Sequence, residues 1–130
     1  MRTYLVDGTN TVRRGRYDSR FPEVEEAETE HFLSRLSSAA EFYEGRICIE
    51  VFFDGPMRAL PPVEPPVFLR FAIDGDADAA ILGSVRSLRD SGRGAVVVTE
   101  DGGLAAEAGD EGAKVIRISD LLTRLRERRA

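Results

Sequence analysis

Apolar runs in this chain repeatedly lead into an aspartate that stands beside a glycine, and that recurrence limits the folds open to it. Tyr4-Leu5-Val6 leads into Asp7-Gly8-Thr9-Asn10, Arg46 to Phe53 (RICIEVFF) leads into Asp54-Gly55, and Ala95 to Thr99 leads through Glu100 into Asp101-Gly102. Short apolar, β-branched runs read as strands buried on both faces of a parallel sheet, and the glycine marks where each strand stops. In open α/β sheets, ligands bind outside the carboxyl ends of the strands. The three acids are therefore expected along one edge.

The segments between the runs carry helical spacing. Phe32, Leu36, Ala39, Ala40 and Tyr43 recur three and four residues apart behind a start crowded with Glu23, Glu25, Glu26, Glu28 and Glu30. Negative charge suits a helix N-terminus, so one amphipathic helix is predicted from Glu23 to Tyr43, stopped at Gly45. Ala77, Ala80, Ile81, Val85 and Leu88 define a second helix, capped by Asp74 or Asp76 and carrying Asp78 in its first turn. Val67 to Ile73 reads as a strand after a proline-rich exposed loop (Pro56, Pro61, Pro62, Pro65, Pro66), and Lys114 to Ile118 as the last strand. A short helix over Leu104 to Ala108 and a terminal one capped by Ser119, through Leu121, Leu122 and Leu125, complete the series. The order β-α-β-β-α-β-α-β-α predicts an α/β fold with a mostly parallel sheet of about five strands, helices on both faces and right-handed crossovers.

Length and charge narrow the classes. A chain of 130 residues is read as one domain, and no apolar run reaches the length of a membrane span. The N-terminus opens on a strand with no basic-then-apolar leader, so a cytoplasmic address is expected. Cys48 is the single cysteine, which excludes an internal disulfide, and its apolar run makes it a packed thiol. The net charge of −5 argues against nonspecific nucleic-acid binding driven by overall charge. Yet 17 of the 18 basic residues are arginine, and Arg13, Arg14, Arg16 and Arg20 follow Asn10 directly. That cluster is either a solvated loop or a phosphate grip beside Asp7, since a guanidinium binds phosphate oxygens in pairs. His31, alone in its helix, is assigned no role.

Each Asp-Gly taken singly is a turn or a cap. Several carboxylates on one edge are different, because burying uncompensated ions costs several kcal/mol each and a divalent cation removes that cost. Magnesium takes oxygen ligands, often one or two carboxylates plus waters, which suits a site opened by Asp7, Asp78 and Asp101. A bound ion lowers the pKa of water and offsets charge on a phosphoryl oxygen, as phosphodiester hydrolysis requires.

LVDGTN, VFFDG, DADAAI and VVVTEDGGLAAEAGDEGAKV, taken in order, resemble the NYN-domain, YacP-like branch of the PIN-like ribonucleases over residues 3–123. The resemblance implies a three-layer α/β/α PIN-like (Rossmann-like) fold and a single PIN-like/NYN domain over 1–130. It implies catalytic Asp7, Asn10, Asp78 and Asp101, with Mg²⁺ or Mn²⁺ on Asp7, Asp78 and Asp101. Asn10 would support Asp7 or touch a phosphate, and Thr99 would hydrogen-bond a metal water or phosphate. Asp54, Asp76 and Glu100 would be outer or supporting acids, and Arg13, Arg14 and Arg16 would meet RNA. The chain departs from the family pattern in two motifs. Gly75-Asp76-Ala77-Asp78-Ala79 stands where relatives carry Glu-Thr-Ala-Asp-Asp, and Thr99-Glu100-Asp101 stands for Thr-Ser-Asp.

The function implied is a metal-dependent endoribonuclease leaving a 5′-phosphate and a 3′-hydroxyl, with RNA as partner, no membrane, and a homodimer or a protein partner as further options. The alternative is a catalytically inactive module that keeps the fold and binds RNA or protein, favoured by the altered DADAA segment. A phosphatase of the haloacid dehalogenase class shares Asp-Gly-Thr, but its nucleophilic aspartate would fall at Leu5.

Overall fold

A computed structural model describes residues 1–13, 20, 22–55, 57, 59–73 and 75–127. Five strands alternate with helices: β1 (Arg2–Asp7), α1 (Gly8–Arg13), α2 (Pro22–Ala40), β2 (Ile47–Asp54), β3 (Val67–Ala72), α3 (Ala77–Asp90), β4 (Ala95–Val98), α4 (Gly102–Asp110), β5 (Lys114–Ile116) and α5 (Ile118–Glu127). The strands form one sheet in the order β3-β2-β1-β4-β5, and every pairing is parallel. β1 is central: Tyr4 pairs with Ile49 on one side and Val96 on the other.

Alternation along the strands divides the core. Tyr4, Val6, Ile49, Val51, Phe53, Val96 and Val98 pack under α2 and α5. Leu5, Phe52 and Val97 face α3 and α4. By the same period of two, Asp7 falls on the α3 side. Helix α2 buries Thr29, Leu33, Leu36 and Ala40, with Phe32 and Ala39 at the margin of that stripe. It ends in a 3₁₀ turn over Glu41–Tyr43, and Gly45 at φ +83° lets the chain reverse into β2. Tyr43, buried there, donates its hydroxyl to the Leu125 carbonyl at 2.7 Å and ties α5 to the end of α2.

Four expectations need correction. A helix, α1, follows Asp7 at once where a turn and an arginine loop were expected, because the Asp7 carboxylate itself accepts from the Asn10 amide. The proline-rich connection is not wholly exposed: Leu60 and Val63 pack on the α2 side of the core, so an extended segment makes the crossover that a helix usually supplies. It delivers β3 to the sheet's edge, where Phe71 stacks on Phe53 with centroids 6.1 Å apart. Ser119 does not cap α5. Asp120 accepts from the backbone of Arg117 at 3.1 Å instead, the reciprocal half of a capping box, and so the last strand stops at Ile116. Helix α4 is longer than Leu104 to Ala108, because Asp101 starts it earlier. Cys48 is half-buried in β2, and desolvation raises its thiol pKa, as a packed thiol requires.

Candidate functional site

Asp7, Asp54, Asp76, Asp78 and Asp101 line one cleft of about 300 Å³ at the carboxyl edge of the sheet, together with Thr9, Asn10 and Arg13. Strand ends and helix starts coincide here, and that coincidence fixes the acids. Asp7 closes β1 and accepts from the Asn10 amide, in the first turn of α1, at 3.2 Å. Asp76 caps α3 by accepting from Ala79 at 2.9 Å, and Asp101 caps α4 by accepting from Leu104 at 2.9 Å. Asp54, at the end of β2, accepts from the Ala77 amide at 2.6 Å and so holds the start of α3 against the sheet. Three helix N-termini thus surround the cleft, and their partial positive charge favours carboxylates there. Asp78 sits in the first turn of α3, half-buried, and lines the same cleft.

Thr99 has a part beyond the one expected. Its buried hydroxyl donates to Asp7 Oδ2 at 3.1 Å and accepts from the Asp101 amide at 3.1 Å, so both of its bonds are internal. It braces two acids against each other. Thr9 was not singled out from the sequence beyond its place in Asp-Gly-Thr-Asn, yet it matters. Its hydroxyl accepts from the Asp54 amide at 2.8 Å, locking α1 to the end of β2. Gly8 makes that approach feasible: a Cβ there would lie 2.8 Å from the Phe52 carbonyl oxygen and 2.8 Å from Val51 Cγ1.

Glu100 is not among the residues that line the acid cleft. It lines a neighbouring groove with Arg117 and Asp120 and stands 3.9 Å from the Arg117 guanidinium. Arg13 lines the acid cleft and pairs with Glu25 at 3.2 Å. Arg14, Arg16 and Asp74 lie outside the described residues.

The electrostatics follow from crowding. Burial raises the pKa of Asp7 most, Asp54 and Asp101 raise it further, and the bonds from Asn10 and Thr99 pull it back. Asp78 is pushed up to about 6, first by desolvation and then by Asp7, Asp101, Asp76 and Asp54. Among the described residues, no three Asp, Glu, His or Cys side chains are drawn together closely enough to form a ready metal cage. The donor set nevertheless suits a hard cation that keeps its own waters and takes only one or two carboxylates. Asn10 Oδ1 supports that fit, being buried without a hydrogen-bond partner beside the acids.

The α/β/α sandwich of five parallel strands matches solved structures of PIN-like fold. The comparison with solved structures returns Rae1 (YacP) from Bacillus subtilis. One structure matches at 22% identity and a TM-score of 0.70 over 99% of this chain and 77% of that one. A mutant of the same protein matches at 20% identity and a TM-score of 0.69, over 99% and 79%. The structural likeness is therefore to the fold that the motif resemblance implies. No protein-family model matches the sequence, and no curated protein sequence matches it significantly. No helix among the described residues is long and apolar enough to cross a membrane.

Proposed function

We propose that this chain, as a single PIN-like domain over 1–130, is a metal-dependent ribonuclease acting in the cytoplasm, with Asp7, Asp78 and Asp101 as the metal-binding acids and Asn10 beside them. The observation that carries the reading is the convergence of five carboxylates on one open cleft, with Asp7 and Asp78 held protonated to higher pH than usual by burial and by their neighbours. Such crowding is costly unless a cation joins it. Mg²⁺ or Mn²⁺ bound there would lower the pKa of a water and neutralise charge on a phosphoryl oxygen.

The chain's own groups do the positioning. Thr99 fixes the rotamer of Asp7 and the start of α4 together, so Asp7 and Asp101 keep their relation as substrate enters. Asp54 and Asp76 hold the first turn of α3 through its amides, which sets where Asp78 points. Arg13 stands at the rim, oriented by Glu25, where a guanidinium meets phosphate oxygens in pairs. An open cleft admits a strand running past on both sides, as endonucleolytic cleavage to a 5′-phosphate and a 3′-hydroxyl requires. The test is incubation of labelled RNA with the protein and Mg²⁺ or Mn²⁺. Fragments with those ends should form with metal and not with EDTA or the Asp78→Asn variant, whereas intact RNA at high protein concentration with both metals refutes the reading.

A second reading has its own support in the spacing of the acids, which form no ready cage among the described residues. In it the fold binds RNA or a protein without cleaving. Thermal melts separate the two, because only a metal-binding site gains stability from millimolar Mg²⁺ or Mn²⁺.

A further inference from the structure

On the side of the sheet away from α3 and α4, a groove of about 390 Å³ opens between α2 and α5, lined by His31, Ser34, Arg35 and Ser38 from α2 and by Leu122 and Arg126 from α5. The α2 residues stand at helical spacing on one face, as do the two from α5. In a chain with a net charge of −5, no acid among the described residues lines this groove. Arg35 and Arg126 are exposed, and neither makes an ion pair among the described residues. Arg13, Arg70, Arg86, Arg89 and Arg117 all have a carboxylate partner. Two like charges brought together from separate helices repel, and an external anion relieves that repulsion.

The donors define the anion. Two guanidinium forks, two hydroxyls and an imidazole call for a ligand rich in acceptor oxygens, which a phosphodiester supplies. Among the described residues no Phe, Tyr or Trp lines the groove, so contact is chiefly to backbone and largely independent of sequence. An acidic peptide would need deeper apolar anchors than Leu122 and Ala39 provide. The groove holding Glu100, Arg117 and Asp120 shares Asp101 with the acid cleft, and α5, which begins just after Arg117, reaches Arg126 over about 13 Å.

We propose that the groove between α2 and α5 is a second RNA contact, gripping the phosphodiester backbone of a strand whose scissile bond lies in the acid cleft; this rests on the nuclease reading above. The test measures binding of a labelled single-stranded RNA of about 20 nucleotides in EDTA, by fluorescence anisotropy across a salt series. Arg35→Ala/Arg126→Ala should weaken binding about tenfold and flatten the plot of log K against log salt by about 1.4, two phosphate contacts at roughly 0.7 each. Arg93→Ala/Lys114→Ala, which removes the same charge elsewhere, should leave the slope unchanged.

An unchanged slope in the Arg35→Ala/Arg126→Ala variant overturns the proposal while leaving nuclease activity of the parent protein intact as a separate result. Equal effects from the Arg93 and Lys114 pair overturn it too, as does groove-dependent capture of a polyglutamate peptide with RNA binding unaffected. A parent protein that binds RNA through the groove but cleaves none supports the contact and refutes the nuclease.

Discussion

Replacing Asp78 by asparagine should stabilise the metal-free protein, and the size and pH window of the gain follow from the crowding of the cleft. A carboxyl pushed up to about 6 from its ordinary 3.8 would carry roughly 3 kcal/mol at 1.36 kcal/mol per pH unit. Asp78 is only half-buried, and solvent screening brings that to about 1 kcal/mol. The sign is set by linkage. Between about pH 4 and pH 6 the folded chain keeps a proton that the unfolded chain has released, so the wild type loses stability as pH rises through that window. Asparagine carries no charge at any pH and escapes the loss. Thermal denaturation in EDTA at about pH 8 should then show the variant melting some 4 °C higher, with the difference closing towards about pH 4. Millimolar Mg²⁺ should reverse the order, stabilising the wild type through a carboxylate that the variant lacks. A variant that is no more stable at the higher pH, or whose gain persists undiminished at the lower, refutes the account of Asp78 as a carboxylate strained by its neighbours.

Two other substitutions test the scaffold of the site. Gly8→Ala forces a Cβ against the Phe52 carbonyl and Val51 and should cost about 2 kcal/mol in urea denaturation; a neutral result would mean that α1 can lift from β2 freely. Thr99→Val leaves Asp7 Oδ2 and the Asp101 amide without their shared partner and should cost about 2 kcal/mol. It should also move the Asp7 titration, followed by carboxyl-carbon NMR, to still higher pH, and an unmoved titration counts against Thr99 as the brace.

The acids were legible in the sequence because a strand end and a helix start each demand a particular residue. A buried run must stop at a polar group, and a helix start favours Asp as its cap, so Asp7, Asp76 and Asp101 declared themselves locally. The bland reading holds as far as it goes: bonds to helix-start amides hold these carboxylates at the edge where they converge. Helix α1 was hidden because Gly-Thr-Asn-Thr has poor helix propensity, and it forms through bonds from Asp7 and contact with β2, some forty residues away. Thr99 illustrates the same limit. Its motif position suggested a bond to a metal water or phosphate, and only the pairing of β1 with β4 brings its hydroxyl to Asp7 as well. The groove between α2 and α5 needed two helices to be placed side by side before His31, Arg35 and Arg126 could be read together.

The central place of β1 also governs the order in which the protein can be made. Its apolar residues leave the synthesis machinery first, but the partners of Tyr4 are Ile49 and Val96, and Asp7 meets Thr99 only when β4 has docked. A nascent chain that stops short of β4 carries an apolar strand with one edge open. Contacts this distant in sequence make folding slow to begin and cooperative once begun. The cleft is therefore among the last features to be completed: a partly synthesised chain holds Asp7 but not the arrangement that gives it a use.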